Sequence, residues 1–452
     1  MTRRALADHI CRTLRTAGFQ AYLVGGCVRD ILLGREPVDY DVATDAAPEQ
    51  VRALFSSFSS VIDVGAKFGV MLVTDPTRNV EEPPVPVEVA TFRSDKGYSD
   101  GRHPNSVVYS TSPQEDVRRR DFTINALLLD PETNEVLDYV GGRDDLRAGI
   151  IRAIGIPEER FREDKLRMVR AVRFAARFRY AIETTTLCAI AELAPDICQV
   201  SAERIRDELT KLLTEGSARR GFELLDDARL LAELLPEISR MKGVEQPPQF
   251  HPEGDVWTHT LLMLERLPAA CSVTLAWGVL LHDIGKPPTF TPPSGPSDRI
   301  RFDQHVEVGT RMAEGICRRL RFSNEITEQI VALVANHLRF KDVARMKPAT
   351  LKRFVRLDRF EEHLELHRLD CLSSHGILES YDLVSRFLNE TPPEQVRPAR
   401  LLSGDDLIEM GFSPGPRFKE ILDAIEEAQL DGKIRSRQDA IRFVKASFTP
   451  RI

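Results

Sequence analysis

The chain has 452 residues, which is too long for a single core and predicts two to four domains. Its net charge of −7 at pH 7 gives no global sign of a nucleic-acid partner, so such a partner has to be sought in local basic clusters. No stretch approaches about 18 apolar residues, so no membrane partner is expected. Seven scattered cysteines without a Cys-x-x-Cys pair predict reduced thiols in a cytoplasmic protein.

The first predicted elements surround a glycine turn. A short apolar strand is predicted at Ala21–Val24, and Gly25 and Gly26 after it permit a tight turn with bare backbone close to a ligand. A helix is predicted from Val28 to Leu33. Arg29 in its first turn can reach an anion that the turn holds.

The next predicted strand, Val38–Val42, carries two aspartates one residue apart. Because side chains alternate along a strand, Asp39 and Asp41 are expected to point the same way. Two convergent carboxylates beside a phosphate-binding turn are the parts of a two-metal site, where Mg²⁺ clamps a triphosphate and activates an attacking hydroxyl. An Asp-x-Asp pair alone is more often a solvated strand end, but the preceding glycine turn favours the metal site.

Further strands predicted in the first 150 residues indicate a small mixed sheet: Val61–Val64, Val70–Val73, Val85–Ala90, Val107–Tyr109 and Ala126–Leu129. Glu88 lies on the third of these, where another carboxylate can complete the metal site as a ligand or a base. A single Glu in a strand is otherwise a surface residue. After Gly149, long amphipathic helices replace the β-branched runs, and one of them is predicted from about Arg417 to Leu430. The expected fold class is α+β, with a mixed-sheet head followed by helical domains.

A run of three arginines, Arg118 to Arg120, precedes Asp121. Such a run is usually a solvated face, but here it opens an apolar segment of the predicted head, where guanidinium groups suit a triphosphate or a ribose. Asp121 can accept a hydrogen bond from a sugar hydroxyl, with Asn125 in support.

A predicted helix from Arg160 to Arg179 carries eight basic residues against two acidic ones. Asp164 and Arg167 stand three apart and are expected on one face, where the simplest interpretation is an intrahelical ion pair. A carboxylate beside a guanidinium also matches the Watson–Crick edge of cytosine or adenine, which presents an exocyclic amine next to a ring nitrogen. Uracil and guanine present a carbonyl oxygen there and would repel the carboxylate. Arg170 lies one turn farther along.

Five motifs follow one another in the order and spacing that one enzyme family shares. They are Gly25-Gly26-x-x-Arg29-Asp30, Asp39-x-Asp41, Arg119-Arg120-Asp121, Glu163-Asp164-x-x-Arg167 and Arg204-Ile205-Arg206-Asp207-Glu208-Leu209. Over residues 20 to 215 the chain resembles the bacterial (class II) tRNA nucleotidyltransferase and poly(A) polymerase family. The resemblance implies template-independent addition of CCA to tRNA 3′ ends from CTP and ATP, by an enzyme with a head, neck, body and tail.

The resemblance also implies roles for single residues. Catalysis with Mg²⁺ would fall to Asp39 and Asp41, with Glu88 as their companion. The nucleotide-binding set would be Gly25, Gly26 and Arg29 for the triphosphate, Arg120 and Asp121 for the sugar, and Asp164 and Arg167 for the base, with Arg119 and Arg170 as further nucleotide-binding residues.

The family includes enzymes that add CC only, A only, the full CCA, or poly(A). A flexible loop between the Asp-x-Asp and the arginine run is thought to control the change from C to A, and CC-only members have lost part of it. The segment Thr91–Pro104 looks full-length, which favours full CCA addition over CC-only addition. Addition of A alone or of poly(A) stays open.

Residues 251–375 hold eight of the ten histidines. His259, the doublet His282-Asp283 and Asp370 make a mixed nitrogen and oxygen set suited to Mn²⁺, Fe²⁺, Ni²⁺ or Mg²⁺. They resemble the ligands of the HD phosphohydrolase superfamily, in which His305 and His337 would contact phosphate or a second metal. This resemblance implies removal of 2′,3′-cyclic or terminal phosphates from RNA ends; the alternative is a degenerate HD fold kept as a body.

The expected division is a nucleotidyltransferase head at 1–150, a helical neck at 151–245, an HD domain at 246–390 and a tRNA-binding tail at 391–452. An interpretation from another class is an HD nucleotide hydrolase whose head only binds nucleotide as a regulatory module. The Asp39 and Asp41 pair speaks against it, because a binding module needs no pair of metal-binding carboxylates.

Overall fold

The chain divides into two units, Met1–Ser239 and Arg240–Ile452. The computed structural model describes residues 2–56, 61–65, 69–74, 86–98, 104–295 and 298–448. No helix in these ranges is long and apolar enough to cross a membrane.

The strands of the first unit are short. They are β1 Ala21–Val24, β2 Asp41–Thr44, β3 Val61–Gly65, β4 Val70–Thr74, β5 Pro86–Thr91, β6 Arg93–Tyr98, β7 Pro104–Tyr109, β8 Leu128–Leu129, β9 Val136–Leu137, β10 Ile150–Ile151 and β11 Ala181–Ile182. One sheet has the order β3-β4-β5-β2-β1-β8-β9, in which β2 and β5 are parallel and the other neighbours antiparallel. The predicted mixed sheet is confirmed.

Strand β2 begins at Asp41 and not at Val38 as predicted. Val38 is 66% exposed, so the apolar residue that the alternation would place in the sheet lies in solvent. Asp39 precedes the strand, and its side chain is 79% exposed beside Arg3. Asp39 therefore lies outside the strand, and strand alternation does not set its direction relative to Asp41.

The segment Thr91–Pro104, expected as a loop, contains a strand. Strands β6 and β7 pair as an antiparallel ribbon apart from the main sheet, and residues 99–103 lie outside the described ranges. The predicted strand Ala126–Leu129 is reduced to β8, because a 3₁₀ turn at Thr123–Asn125 occupies the residues just before it. Val85, predicted as the start of β5, also lies outside the described ranges.

The helices of the first unit begin with α1, before β1, and most of them follow the sheet in the chain. They are α1 Arg3–Thr16, α2 Gly26–Leu32, α3 Pro48–Phe55, α4 Pro113–Arg118, α5 Gly142–Ala148, α6 Pro157–Glu163, α7 Leu166–Phe178, α8 Thr184–Leu193, α9 Ala202–Thr214, α10 Ala218–Asp227, α11 Leu230–Leu234 and α12 Pro236–Ser239. Buried apolar residues from the strands, from α4 and from the connecting segments form a core of the head: Val24, Ala43, Phe92, Val117, Ala126, Leu128 and Ile154.

The predicted basic helix from Arg160 to Arg179 is two helices, α6 and α7, with a break at Asp164. Asp164 has an extended backbone, with φ −147° and ψ 103°, and its Oδ1 accepts a hydrogen bond from the backbone N–H of Leu166 at 3.1 Å. A short acidic side chain that bonds the N–H two residues on favours a turn over a continuous helix. Asp164 and Arg167 therefore do not share a helix face in the predicted way.

The second unit is mostly helical. Its elements are α13 Val256–Glu265, α14 Val273–Leu281, α15 Lys286–Thr289, β12 Phe290–Thr291, β13 Arg301–Phe302, α16 His305–Arg319, α17 Asn324–Asn336, α18 Pro348–Phe354, α19 Phe360–Ser373, α20 Glu379–Glu390, α21 Pro393–Val396, α22 Gly404–Glu409, α23 Pro416–Leu430 and α24 Arg437–Ser447. Helix α14 is buried along its whole length apart from Val273, as a central helix should be. Helix α23 matches the helix predicted from about Arg417 to Leu430.

The last helices enclose a cluster of their own. Its buried members are Leu402, Leu407, Phe412, Ile421, Ile425, Ala428, Ile434, Ala440 and Val444. Contiguous apolar contact of this kind gives the segment from α22 to α24 a local core.

Candidate active site and metal centre

The turn between β1 and α2 places bare backbone beside two charged side chains. Gly25 has a φ of +78°, a conformation that favours glycine. A Cβ added at Gly25 would lie 3.5 Å from Nη1 of Arg120 and 3.8 Å from Oδ2 of Asp41. The turn predicted from Gly25-Gly26 thus forms next to a carboxylate and a guanidinium.

A cleft of about 470 Å³ opens over this turn. It is lined by Gly25, Gly26, Arg29, Asp41, Arg119, Arg120, Asp121, Asn125, Asp164, Arg167, Arg170, Arg173, Phe174 and Arg177. Seven arginines stand against three aspartates in this lining, so the cleft is suited to a polyanion. The structure brings together ten of the predicted nucleotidyltransferase residues here, and it leaves Asp39 and Glu88 outside the lining.

Asp41 and Glu88 are neighbours across the parallel pair β2 and β5, where their Cα atoms are register partners. Burial raises the pKa of Asp41 to about 6, and the charge of Glu88 acts in the same direction while Arg120 opposes it. A carboxylate that burial and another carboxylate both disfavour gains most from a divalent cation. Asp41 with Glu88 is therefore a donor set that fits Mg²⁺, and the charge of the exposed Asp39 also acts to raise the pKa of Asp41.

Arg29 is fixed in the wall of the cleft. Its side chain is buried, its Nη1 donates to Oδ1 of Asn125 at 2.7 Å and its Nε donates to Oδ1 of Asp30 at 2.9 Å. The guanidinium also lies 4.6 Å from the ring centroid of Phe178. A guanidinium held on this many sides keeps its direction when an anion arrives.

Asp116 holds both arginines of the Arg119-Arg120 pair. Its Oδ1 accepts from Nη2 of Arg119 at 2.6 Å and its Oδ2 from Nη2 of Arg120 at 2.9 Å. Burial acts to raise the pKa of Asp116, but the charges of Arg120 and Arg119 lower it. Sequence reasoning missed Asp116, although its spacing of three and four residues from the arginines was the available signal.

Asp121 is fully engaged by protein donors. Its Oδ2 accepts from Nη2 and Nε of Arg170 at 2.7 and 3.0 Å, and its Oδ1 accepts from the N–H of Phe122 at 2.8 Å and from Nδ2 of Asn125 at 3.2 Å. Burial raises the pKa of Asp121, but Arg170 outweighs it and lowers the pKa overall. A carboxylate has about four acceptor positions, and all are filled here.

Asp164 and Arg167 both line the cleft, and each is held by another residue. Oδ2 of Asp164 accepts from Nη2 of Arg204 at 2.7 Å, and Nη1 of Arg167 donates to Oε2 of Glu163 at 2.6 Å. The intrahelical ion pair between Asp164 and Arg167 is not among the ion pairs of the described residues. Both side chains keep further acceptor and donor positions for a ligand.

The second unit gathers the predicted HD residues around one centre. Nε2 of His259 lies 3.2 Å from Oδ1 of Asp370, and Nε2 of His282 lies 3.1 Å from Oδ2 of Asp283. Oδ1 of Asp283 also faces His337 and His305, whose Nε2 atoms lie 3.7 and 3.9 Å away. These predicted residues form two groups of possible metal ligands. One group is His259, His282 and Asp370, and the other is Asp283, His305 and His337.

The imidazoles are oriented through their Nδ1 atoms. Backbone carbonyls of Val279, Phe302 and Val334 accept hydrogen bonds from Nδ1 of His282, His305 and His337 at 2.8, 2.8 and 2.7 Å. An Nδ1–H that donates to a carbonyl leaves the lone pair on Nε2. The Nε2 atoms of these three histidines and of His259 are buried and make no hydrogen bond within the described residues. Orphaned nitrogen lone pairs beside carboxylates fit a divalent metal.

Asp283 stays ionised at this centre. Burial raises its pKa, but the neighbouring His282 and the Lys286 ammonium bring it well below the ordinary value. Nζ of Lys286 donates to Oδ2 of Asp283 at 2.6 Å and to Oε1 of Gln246 at 2.6 Å. The carboxylate therefore keeps its charge for a cation without a change of protonation.

Known proteins match this chain over nearly its whole length. The CCA-adding enzyme of Leuconostoc mesenteroides is 31% identical over 442 residues, which cover 97% of this chain and 95% of the relative. The chain belongs to the CCA-adding enzyme family. The CCA-adding enzyme of Geobacillus stearothermophilus is 30% identical over 433 residues, or 96% of this chain and 94% of the relative.

Domain families and solved structures agree with membership in the CCA-adding enzyme family. Residues 21–152 match the poly A polymerase head domain, residues 179–242 the probable RNA and SrmB-binding site of polymerase A, and residues 256–367 the HD domain. The crystal structure of the Bacillus stearothermophilus CCA-adding enzyme in complex with CTP has a TM-score of 0.74 and 27% identity, covering 99% of each chain. A Thermotoga maritima CCA-adding enzyme complexed with tRNA shares the fold, with a TM-score of 0.60 and 19% identity over 98% and 95% of the two chains.

Two residues that hold site residues in place were not predicted from the sequence: Arg204, which bonds Asp164, and Glu253, which bonds His259. Arg204 lies within a recognised motif, but nothing in its spacing showed that it would reach Asp164, 40 residues away along the chain. Glu253 lies outside any helix, six residues before His259, and no periodic pattern connects the two.

Proposed function

We propose that this member of the CCA-adding enzyme family adds CCA to tRNA 3′ ends from CTP and ATP. The observation that carries the proposal is the single cleft that combines Asp41 with the glycine turn, the arginine-rich wall and the pair Asp164 and Arg167. The crystallised relative in complex with CTP supports the substrate class. In this proposal Gly25, Gly26 and Arg29 hold the triphosphate, Arg120 and Asp121 hold the sugar, and Arg119 lies in the same wall of the cleft.

In the proposal Asp41 and Glu88, with Asp39 at the exposed side, hold Mg²⁺. Bound Mg²⁺ supplies charge neutralisation for the triphosphate and activation of the 3′ hydroxyl. Asp41 and Glu88 are register partners in the parallel strands β2 and β5, which supports this pair as metal ligands. Arg29, held by Asn125 and Asp30, stabilises negative charge on the phosphates as the new bond forms.

Base selection is assigned to Asp164 and Arg167. The carboxylate accepts a hydrogen bond from the exocyclic amine of cytosine or adenine, and the guanidinium donates to the adjacent ring nitrogen. The bonds of Asp164 to Arg204 and of Arg167 to Glu163 support this assignment, because they fix each group without pairing them to each other. Arg170 and Asp121 lie beside the sugar.

The test is incubation of the purified protein with labelled CTP or ATP and tRNA that lacks one, two or three 3′ nucleotides. We expect extension to a complete CCA end, and a loss of about 10³-fold or more in Asp41→Ala. Asp144→Ala is the matched control, because Asp144 is an exposed partner of Arg147 in the same unit. Extension that persists in Asp41→Ala would contradict the metal assignment.

The same assay separates the neighbouring activities of the family. A CC-only enzyme stops one nucleotide short on tRNA that lacks three, an A-only enzyme extends only tRNA that lacks one, and a poly(A) polymerase adds a long tail from ATP. We propose full CCA addition. Any of the other three product patterns would contradict this proposal and identify the activity that takes its place.

For residues 246–390 we propose an HD phosphohydrolase that removes terminal or 2′,3′-cyclic phosphates from RNA ends with Mn²⁺, Ni²⁺, Fe²⁺ or Mg²⁺. His259, His282, Asp283 and Asp370 hold the metal in this proposal, with His305 and His337 on phosphate or a second metal. The four buried Nε2 atoms without hydrogen bonds among the described residues support it. Head, neck and tail are proposed at 1–150, 151–245 and 391–452.

The HD proposal is tested with RNA that ends in a labelled 3′ or 2′,3′-cyclic phosphate in the presence of each metal. Asp283→Ala should lose phosphate release while CCA addition persists, because the ligands of the two sites lie on different units. A wild-type protein that neither binds these metals nor releases phosphate would identify the HD fold as a degenerate body.

A further inference from the structure

Glu253 is a buried carboxylate that contacts two imidazoles at the HD centre. Its Oε1 lies 2.7 Å from Nδ1 of His259 and 2.8 Å from Nδ1 of His251, and its side chain is 7% exposed. Glu253 stands in the segment before α13, outside the helices that carry the other HD residues. It is not one of the residues that the sequence predicts for the HD site.

The three side chains form a hydrogen-bonded group and not a metal site of their own. Their closest atoms are 2.7 and 2.8 Å apart, which is the distance of charge-assisted hydrogen bonds. Two nitrogen or oxygen ligands of one divalent ion are usually separated by about 3 Å or more, given metal–ligand distances of about 2.0–2.2 Å. Oε1 of Glu253 therefore accepts from both Nδ1–H groups.

His259 differs from the other three histidines in how it is held. His282, His305 and His337 each donate Nδ1–H to the backbone carbonyl three residues before them, at Val279, Phe302 and Val334. Those anchors belong to the main chain and survive any side-chain substitution. His259 donates to a side chain instead, so its tautomer and ring direction depend on one replaceable residue.

The acceptor also differs in charge. A carboxylate that accepts Nδ1–H from a ligating histidine fixes Nε2 as the ligand atom and raises its basicity more than a neutral carbonyl does. Nε2 of His259 is buried, makes no hydrogen bond among the described residues, and faces Oδ1 of Asp370 at 3.2 Å. Glu253 thus bonds Nδ1 of His259, while Nε2 of the same ring belongs to the metal-ligand group with His282 and Asp370.

We propose that Glu253 is a positioning residue for the HD metal centre, which holds His259 with Nε2 toward the metal. This inference rests on the proposed HD metal site. It goes beyond that site in assigning metal affinity to a residue that does not touch the metal.

The experiment is calorimetric titration of the full-length protein with Mn²⁺ after removal of bound metal. Glu253→Ala should raise the Mn²⁺ dissociation constant by about 10- to 100-fold, the usual effect of losing such a support. Glu253→Gln keeps an oxygen acceptor and loses the charge, so its dissociation constant should lie between those of wild type and Glu253→Ala. The control His251→Asn leaves the bond between Glu253 and His259 in place and should change affinity less than about threefold.

Two further measurements separate the possible outcomes. CCA addition and metal-free melting temperature should match wild type in each variant, which shows that the chain is folded; if Glu253→Ala fails this test, Glu253→Gln carries the comparison alone. Wild-type binding that is lost in Asp283→Ala but unchanged in both Glu253 variants would overturn the positioning role. Absence of Mn²⁺ binding by wild type would instead overturn the HD metal site, and the inference with it.

Discussion

Asp41 shows at the scale of one residue how the fold prepares a carboxylate for a cation. Burial is the larger cause of its raised pKa and the charge of Glu88 the second. In the absence of a metal, the charged form of Asp41 is unfavourable in the folded chain. The same residue is therefore expected to weaken the metal-free fold and to strengthen metal binding.

This balance predicts a pH-dependent effect of Asp41→Asn on stability. The pKa of Asp41 is about 6 when folded against an ordinary 3.8, so between these values the folded chain holds a proton that the unfolded chain has lost. Stability therefore falls as pH rises through that window, by about 1–3 kcal/mol for this group. In metal-free buffer, Asp41→Asn should melt above wild type at pH 7.5 and close to wild type at pH 4.

The control for Asp41→Asn is Asp39→Asn, because the Asp39 side chain is 79% exposed and its ion pair with Arg3 lies at the surface. Asp39→Asn should show little change at either pH. An equal gain for Asp41→Asn at both pH values would contradict titration of Asp41 as the cause, since a protonated Asp41 resembles Asn.

Arg204 predicts a change in nucleotide choice at the same scale. Arg204→Ala removes the guanidinium that holds Oδ2 of Asp164, so the carboxylate can turn away from the base. Incorporation of UTP relative to CTP should rise about tenfold, equivalent to about 1.4 kcal/mol of lost discrimination. The measurement is kcat/KM for each nucleotide on tRNA that lacks three nucleotides.

The matched control is Arg206→Ala on the same helix α9, whose guanidinium bonds Asp207 and does not line the cleft. Its kcat/KM ratio for UTP and CTP should stay at the wild-type value. A similar rise in both variants would point to a general loosening of α9.

At the scale of elements, the sequence predicts strands and helices well where local pattern and burial agree. The strand Ala21–Val24 and the helix near Arg417–Leu430 are examples, because their apolar residues face a core at the expected period. The pattern fails at Val38–Val42, where the valine and Asp39 lie in solvent and pairing starts only at Asp41. It fails again at Asp164, where one backbone hydrogen bond breaks a basic helix.

The candidate sites were predictable to the extent that charged residue types and their spacing reveal chemistry. The glycine turn, Asp41 and the arginines of the cleft were all found in this way. Asp116 and Glu253 were not, because they act by holding other side chains. Contacts of that kind depend on how the chain brings separate side chains together in space, and the sequence of one segment does not predict this.

The element junction at Gly285 gives a further prediction. A Cβ at Gly285 would lie 2.0 Å from the backbone oxygen of His305 and 2.6 Å from the nitrogen of Gly309, so α16 must move away. Gly285→Ala should destabilise the second unit by about 1–3 kcal/mol and displace His305 from Asp283. Urea unfolding and Mn²⁺ titration measure the two effects.

Gly315→Ala on the same helix α16 is the control, because a Cβ there meets nothing within 4 Å among the described residues. Replacement of a helical glycine by alanine should stabilise by about 0.5–1 kcal/mol. Equal effects of the two substitutions would contradict the close approach at Gly285.

On the scale of the whole molecule, charge is unevenly distributed. The chain has a net charge of −7, while the cleft of the first unit is lined by seven arginines and three aspartates. An acidic protein with a basic cleft should attract nucleic acid locally and repel it elsewhere. The proposed tRNA partner has to be bound largely by such local contacts.

Binding of tRNA should therefore weaken steeply with salt. The logarithm of the association constant should fall linearly with the logarithm of KCl concentration, because each phosphate contact releases counterions. Arg177→Gln should reduce the magnitude of this slope by about one if Arg177 meets a phosphate. Filter binding between about 50 and 200 mM KCl measures it, and Arg147→Gln, whose residue pairs with Asp144 outside the cleft, is the control. A slope unchanged in Arg177→Gln would exclude the contact.

Protein donors already fill the four acceptor positions of the Asp121 carboxylate. A nucleotide that binds there must therefore exchange its own hydrogen bonds for bonds within the protein. A sugar hydroxyl can reach that carboxylate only by competing with Arg170 or Asn125 for the same oxygens. Each hydrogen bond gained by the ribose is then matched by one that the protein gives up, so the net enthalpy of sugar recognition is small. The displaced guanidinium of Arg170 keeps its longer contact with Oε1 of Glu208, at 3.8 Å, and gains a free side on which a phosphate can take the place of Asp121. The side chains that bind one another in the empty cleft are thus the ones whose bonds an incoming nucleotide redistributes.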